Sequence, residues 1–487
     1  MGFDFDHEQR RQLGYKLIDH INQYFDSLPN RSVQLPADQR SFGQLSDRMP
    51  DVGEDAAKIL DEVSSEMIDK GFHVPSANYF GLMNPTPTYM AVLAESLVAA
   101  LNPQLASLAR SQLASKIESE TVRWIGERIG WAWARAGFNG RPIKCDGTFT
   151  SGGNEANFSA LAMALAWKFP SFIEDGIASI GASPMLYSSS ESHHSLDKSA
   201  GLLGLGRNAL RRIPVTDRIQ MDVTKLEAAI EQDLRAGHKP FAIVATAGTT
   251  NSGAVDDIEA LIDLARRYDL WLHVDGAYGA AAVFSDKHRD LVRGIDRADS
   301  VTIDPHKWLA MPFAAGVVIT SHPELLEGTF GVATPYMPKI AGAAIADNFK
   351  VSAQWSRRMN SLKFWLTLRV HGRKAYEDLI DRQLDLARQF ADWVRASDQF
   401  ELGAPQVLPI VNFRLKGLRS EEEAKAAHAA IIDEVTRSGE RWISQTVVNG
   451  RSVLRMMVIS YLTEERHLEG LQDSLIHAAK STPAATR

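Results

Sequence analysis

Cysteine is almost absent from this sequence: one residue, Cys145, in a chain of 487. A single thiol excludes an intrachain disulfide framework and a multi-cysteine zinc site, and it suits a reducing cytoplasm. The adjacent pair His193-His194 has no H-E-x-x-H or cysteine partner, so no metal is expected. No apolar run is long and uninterrupted enough to span a bilayer. The opening MGFDFDHEQRR lacks the apolar stretch of a secretory signal, and Asp6 stands where myristoylation would want Ser or Thr. An excess of positive charge is missing as well. The net charge is −7, which gives no reason to expect nucleic acid or an anionic membrane as a partner. Internal repeats and low-complexity segments are not found. With 45% hydrophobic and 23% charged residues, the chain reads as a soluble, cytoplasmic globular protein of two or three structural units.

Helical patterns dominate the first part. Residues 4–28 carry Leu13, Leu17, Ile21 and Tyr24 at spacings of three and four, a stripe that must lie on the chain's own body or on a partner. Residues 30–52 are a polar linker, 54–70 are helical up to a Gly71 cap, and 88–135 are helical again. Between them, 75–87 mixes turn residues with aromatic and apolar ones; it either lines a pocket or packs on the core as a connection. From about 140 to 320, short apolar runs alternate with helical segments. The strands expected are 148–150, 185–187, 241–245, 271–274, 301–303 and 316–319. That alternation predicts an α/β domain with a mainly parallel sheet flanked by helices. The stretch 325–348 is a mobile lid or a long surface loop, and 360–395 is helical. A small α+β unit follows, with strands at 408–415, 442–448 and 452–459 and a hairpin signal at Asn449-Gly450.

In parallel sheets, ligands bind beyond the carboxyl ends of strands. After the first strand, Ser151-Gly152-Gly153-Asn154 opens a helix, either as a phosphate cradle or as a glycine turn capped by Asn154. The next ends carry His193 and His194, then Thr246, then Asp275-Gly276-Ala277, then Asp304-Pro305-His306-Lys307. Taken alone, Lys307 reads most readily as a solvated surface lysine. In this company it is the candidate for imine chemistry, with the cradle for a phosphate and Asp275 for a pyridine nitrogen. These are the needs of pyridoxal 5'-phosphate.

The motifs DPHKW at 304–308, HVDGAYG at 273–279, TAGTTNSGAVDDI at 246–258, SGGNEANFSAL at 151–161 and SHHSLDKSAGLLG at 192–204 resemble those of the group II pyridoxal-phosphate decarboxylases, the aromatic-L-amino-acid and glutamate decarboxylase family. The resemblance runs, patchily, from about residue 50 to 460. It implies a fold-type I enzyme with a seven-stranded-type sheet, working as a homodimer with a shared active site. Lys307 matches the Schiff-base lysine, Asp275 the partner of the pyridine nitrogen, Ala277 the residue on one ring face and His193 the imidazole on the other. His194 leaves an ambiguity about which histidine stacks. Gly152, Gly153, Asn154 and His306 match phosphate-binding positions, and Thr246 a hydroxyl beside the cofactor. Tyr336 resembles the mobile-loop tyrosine that returns a proton after carbon dioxide leaves. Relatives that make aldehydes depart at that tyrosine or at the stacking histidine; both are present here.

The resemblance also has gaps. Where the aromatic decarboxylases carry aromatic side chains, this chain has Pro75, Met83, Asn84, Ala106, Leu108 and Arg110. Pro75, Met83, Asn84, Pro85 and Leu108 are the candidate substrate pocket. An aromatic L-amino acid is the expected substrate, with glutamate, aspartate or 2,4-diaminobutyrate as rivals. Other readings are an aldehyde synthase, aminotransferase or lyase on the same fold, and a non-catalytic cofactor-binding regulatory protein. The expected organisation is an N-terminal helical segment over 1–95 that packs on a partner, a large cofactor domain over 96–360 and a small domain over 361–487.

Overall fold

The computed structural model describes residues 3–40, 49–131, 145–337, 340 and 346–481. A seven-stranded sheet is built from β1 (Asp146–Thr150), β2 (Pro184–Ser189), β3 (Leu210–Ile213), β4 (Lys239–Thr246), β5 (Trp271–Asp275), β6 (Ser300–Ile303) and β7 (Gly316–Thr320). Their spatial order is β1-β7-β6-β5-β4-β2-β3. The run β3-β2-β4-β5-β6 is parallel, while β7 is antiparallel to both of its neighbours. Every residue of β2, β5, β6 and β7 is buried, which is why these strands read as continuous apolar runs. Because β7 runs backwards, the carboxyl ends of β1, β2, β4, β5 and β6 share one rim, with Gly316 opposite Thr150.

The expected strands are all present, and β3 is an addition to them. Its sequence, Leu210-Arg211-Arg212-Ile213, carries charge in the middle because it is an edge strand. Arg211 pairs with Asp233 at 2.7 Å and Arg212 with Asp197 at 2.6 Å.

The helices are α1 (His7–Ser27), α2 (Ala56–Lys70), α3 (Tyr89–Leu101), α4 (Gln112–Ile129) and α5 (Gly153–Lys168), followed by others between the strands. A capping box of Asp6 and Gln9 starts α1. Neither α1 nor α2 buries a single residue, so the apolar stripe of α1 lacks full cover within one chain. The continuous helix expected over 88–135 is broken. Asn102 turns left-handed at φ 45°, Pro103 follows, and the chain restarts as α4; residues 132–135 lie outside the described ones. The expected lid stretch begins with a helix, Pro323–Phe330, and its residues 338–339 and 341–345 lie outside the described ones. The same holds for 41–48 of the expected linker. The long helix Ser361–Ala396 is interrupted at Gly372, whose φ of 73° takes the chain out of helical geometry. No described helix is long and apolar enough to cross a membrane.

A second, antiparallel sheet lies towards the C-terminus: β8 (Phe400–Leu402), β9 (Ile410–Leu415), β10 (Ser444–Val448) and β11 (Arg451–Met457), in the order β10-β11-β9-β8. The Asn449-Gly450 turn joins β10 to β11 with both residues at positive φ, 46° and 78°, as a tight hairpin requires. Packed on it is the helix Glu421–Arg437, from which His428 is wholly buried. Its Nε2 accepts the Leu415 N–H at 3.3 Å, so its proton sits on Nδ1, 3.1 Å from Ser452 Oγ. Burial, helped by Arg414, lowers its pKa to about 4. A folded pKa below the unfolded value of 6.5 means that the stabilisation is complete above pH 6.5 and is lost as pH falls towards 4. Urea titrations should therefore show that His428→Gln flattens the loss of unfolding free energy between pH 6.5 and about 5 by roughly 1–2 kcal/mol.

Candidate functional site

The rim is drawn together by one carboxylate. Pro305 cannot donate to a ladder, so β6 stops at Ile303 and Asp304 turns inward, almost fully buried. Asp304 Oδ2 receives the Gly153 amide at 3.0 Å and lies 3.3 Å from Lys307 Nζ and 3.5 Å from His306 Nε2. Burial pushes its carboxyl above the usual range, against the pull of Lys307 and the Gly153 amide. His306 Nδ1 accepts the Ala315 N–H at 2.9 Å, leaving the ring proton on Nε2. Burial, with Lys307 and Lys363 nearby, lowers the His306 pKa to about 3.

The glycine turn fits against this group with no room to spare. A Cβ on Gly152 would stand 3.0 Å from His306 Cε1; one on Gly153 would stand 2.8 Å from Asp304 Oδ2 and 3.1 Å from Ala277 Cβ. The Gly153 amide, one of those expected to face a phosphate, is engaged by Asp304 instead. Asn154 follows it, exposed, at the start of α5. Glu155 closes the turn by accepting the Ser151 amide and hydroxyl at 2.9 and 2.8 Å.

Strand register supplies the next group. Thr246 pairs with Asp275 and Asp275 with Thr302, so three polar side chains form a row across β4, β5 and β6. One step back, His273 pairs with Ser300. Asn157 reaches this face from α5: its Nδ2 donates to Asp275 Oδ2 at 2.8 Å and to Ser195 Oγ at 3.0 Å. Its Oδ1 accepts from Thr302 Oγ1 at 2.9 Å and lies 3.0 Å from His273 Nε2. The Ala277 amide donates to Asp275 Oδ1 at 3.3 Å. Thr246 is held by Asp256, whose Oδ2 accepts the Thr246 amide at 2.8 Å.

The two adjacent histidines separate clearly. His194 keeps 93% of its side chain exposed and sits 3.1 Å from Asp197. His193 accepts the Ser195 amide on Nδ1 at 3.1 Å, which leaves its proton on Nε2. Although its surface is open to the cleft, desolvation by surrounding protein lowers its pKa; Lys307 and His194 act in the same direction, Asp275 and Asp304 against it.

Lys307, His306, Gly152, Gly153, Ala277, Asp275, Thr246 and His193 are thus brought together at one rim of the sheet. The stretch 75–88 runs beside it. The Thr88 amide donates to the Ala310 carbonyl at 2.9 Å, and Arg455 bridges to Thr250 at 2.7 Å, with a longer contact to Gly81. Within that stretch Pro75 accepts from Thr86 Oγ1 at 2.7 Å, Pro85 is buried, Asn84 is half-buried and Met83 packs on the main core. Leu108 is buried, and its amide donates to Asp347 at 2.8 Å. Tyr336 is 71% exposed and stacks on Trp355 at 6.4 Å; among the described residues it makes no contact with Lys307, His193 or Asp275. Three members of the site carry no role in the sequence reading: Asn157, His273 and Asp304. A signal for two of them exists. Asn157 is four residues on from Gly153, on the same helix face, and His273 is two residues before Asp275, on the same strand face.

These residues fit pyridoxal 5'-phosphate. The Thr246 hydroxyl is buried with no hydrogen-bond partner among the described residues. The glycine turn, free of side chains, lies against His306, Asp304 and Ala277, with the Lys307 amine and the Asp275 carboxylate alongside.

A family model described as the pyridoxal-dependent decarboxylase conserved domain matches residues 36–416. An aromatic-L-amino-acid decarboxylase of Bacillus atrophaeus is 30% identical over 93% of this chain and 92% of its own. A solved structure of Oryza sativa TDC with pyridoxal phosphate and tryptamine superposes with a TM-score of 0.91 at 25% identity, covering 99% of both chains. One of Rhodiola rosea 4-hydroxyphenylacetaldehyde synthase superposes at 0.86 and 26% identity, covering 98% of this chain and 99% of that one.

If the glycine turn is a cradle, Gly153→Ala should weaken pyridoxal phosphate binding roughly tenfold, because the new methyl group overpacks against Asp304 and Ala277. Fluorescence titration of the apoprotein measures this, and its thermal midpoint should move little.

Proposed function

The chain belongs to the pyridoxal-dependent decarboxylase family, and from that premise we propose that it decarboxylates an aromatic L-amino acid, tryptophan, tyrosine or phenylalanine, to the amine. It is a carboxy-lyase that uses pyridoxal 5'-phosphate. When bound, the cofactor supplies an aldehyde for amines and a ring that takes up the electron pair released with carbon dioxide. The observation that carries the aromatic reading is the relationship, over nine-tenths of both chains, to a bacterial enzyme named for aromatic substrates.

Each residue has a task that its geometry supports. Lys307 offers its amine from beside Asp304, which also binds the glycine turn, so the amine and the phosphate site keep a set spacing. Gly152 and Gly153 allow a close approach of the backbone to a phosphate, which Asn154 and the Nε2–H of His306 would hold. Asp275 retains acceptor capacity for the pyridine nitrogen after taking its two protein donors. Ala277 lies under one ring face, and neutral His193, rather than solvent-facing His194, covers the other. The Thr246 hydroxyl finds its missing partner on the cofactor. Pro75, Met83, Asn84 and Pro85 border the substrate side.

We assign the working unit to a homodimer. What supports this is that α1 and α2 bury nothing, and that Tyr336 stands exposed against Trp355. On this reading Tyr336 returns the proton in the partner's site and Leu108 contributes to the partner's substrate pocket.

Two experiments test the function. Incubation with the twenty amino acids, ornithine and 2,4-diaminobutyrate, scoring carbon dioxide, amine and aldehyde, should give stoichiometric carbon dioxide and amine from an aromatic substrate. Preference for glutamate, or aldehyde as the main product, would reject the reading. In the same preparation Lys307→Ala should lose the visible absorbance band of the lysine-bound cofactor.

Subunit mixing tests the shared site. Lys307→Ala and Tyr336→Phe are each expected to be nearly inactive. Mixed after dissociation, they should recover about a quarter of wild-type activity, since half of the dimers then carry one complete site. No recovery from dimers shown to have exchanged would place Tyr336 outside the shared site.

A further inference from the structure

Behind Asp275 lies a buried chain of hydrogen-bonded side chains. Trp271 Nε1 donates to Ser300 Oγ at 2.9 Å, and Ser300 Oγ lies 2.9 Å from His273 Nδ1. His273 Nε2 lies 3.0 Å from Asn157 Oδ1, and Asn157 Nδ2 donates to Asp275 Oδ2 at 2.8 Å. Every link lies in the interior: Trp271, His273 and Ser300 are fully buried and Asn157 nearly so.

The direction of each bond follows from chemistry. Indole nitrogen only donates, so Ser300 accepts from Trp271 and gives its own proton to His273 Nδ1. Asp275 only accepts, so the amide nitrogen of Asn157 faces it and the Asn157 oxygen faces His273 and Thr302. His273 must then carry its proton on Nε2. Complete burial lowers its pKa to about 4, so the ring is neutral at pH 7 and has one proton to place. All the donors therefore point towards Asp275.

We propose that Asn157, backed by His273, Ser300 and Thr302, is a positioning residue that turns Asp275 towards the cofactor and keeps the shared proton on the pyridine nitrogen. The proposal rests on the reading of the site given above. An N–H already points at Asp275 Oδ2, which favours the ionised carboxylate over a proton there. The Ala277 amide takes one lone pair of Oδ1, and the carboxylate keeps further acceptor capacity. Without Asn157 the carboxylate is free to rotate or to take the proton itself. The ring would then lose the positive charge that lets it accept electrons. Register makes this arrangement possible: parallel pairing of β5 with β6 sets His273 beside Ser300 and Asp275 beside Thr302.

The test uses holoenzyme loaded with pyridoxal phosphate labelled with nitrogen-15 in the ring. In the wild type the nitrogen resonance should lie in the protonated range, and Asp275→Asn should move it to the neutral range. Asn157→Leu, similar in volume but without donors, should move it in the same direction and weaken cofactor affinity roughly tenfold, the order expected for one lost hydrogen bond to a charged group. Ser300→Ala touches nothing in the cleft and leaves Asn157 in place. It should produce a smaller shift of the same sign, and it carries the test if Asn157→Leu does not fold. A wild-type resonance in Asn157→Leu, or in Ser300→Ala if that is the variant available, overturns the relay and leaves the decarboxylase reading intact. Failure of the wild type to take up the cofactor removes both.

Discussion

The buried carboxylate of Asp304 is the constraint on which the rest of the cleft depends. It joins an amide 151 positions earlier in the chain to a lysine three positions later, with an imidazole alongside. A charge taken out of water must be matched by donors, and here the donors are the start of α5 and the Lys307 amine, which are thereby held at a set spacing. Removing Asp304 would leave the glycine turn and Lys307 without a common reference.

Around that knot the site follows a single structural logic. Strands buried on both faces must satisfy their inward polar groups inside the protein; His273 and Ser300 do this for each other, and Asp275 and Thr302 do it through Asn157. Asn157 completes the network from α5 with bonds of 2.8 to 3.0 Å. Only a few polar atoms at the cleft remain unmatched. The Thr246 hydroxyl is one and Asp304 Oδ1 another.

Much of this was legible in the sequence, but unevenly. The strands on either side of the rim were readable because a doubly covered sheet forces continuous apolar runs, and the rim residues stood out because they interrupt those runs. The Asn449-Gly450 hairpin was equally plain, since few residue pairs tolerate two positive φ angles. The break between α3 and α4 was missed although Asn102-Pro103 signals it, because the apolar periodicity continues across it. β3 was missed because an edge strand can carry Arg211 and Arg212 and so lacks the apolar signature. The sequence matched His193 to the stacking position but left His194 as an alternative, because adjacent residues are alike in sequence; in the fold His193 Nδ1 takes the Ser195 amide while His194 sits beside Asp197.

By itself, the sequence determined the kind of chemistry. A lysine, a carboxylate, a glycine turn and an imidazole at successive strand ends state which groups are available, and a parallel sheet leaves them nowhere to gather but one rim. What the tertiary structure alone decided is how those groups are held. The tie of Gly153 to Asp304 spans 151 residues and that of Asn157 to Asp275 spans 118, and no local pattern encodes contacts so distant. They exist because α5 packs across the strands that carry its partners. Which side chains hold Asp275 and Lys307 in place is thus a property of packing, and that is where the function of this chain is tuned.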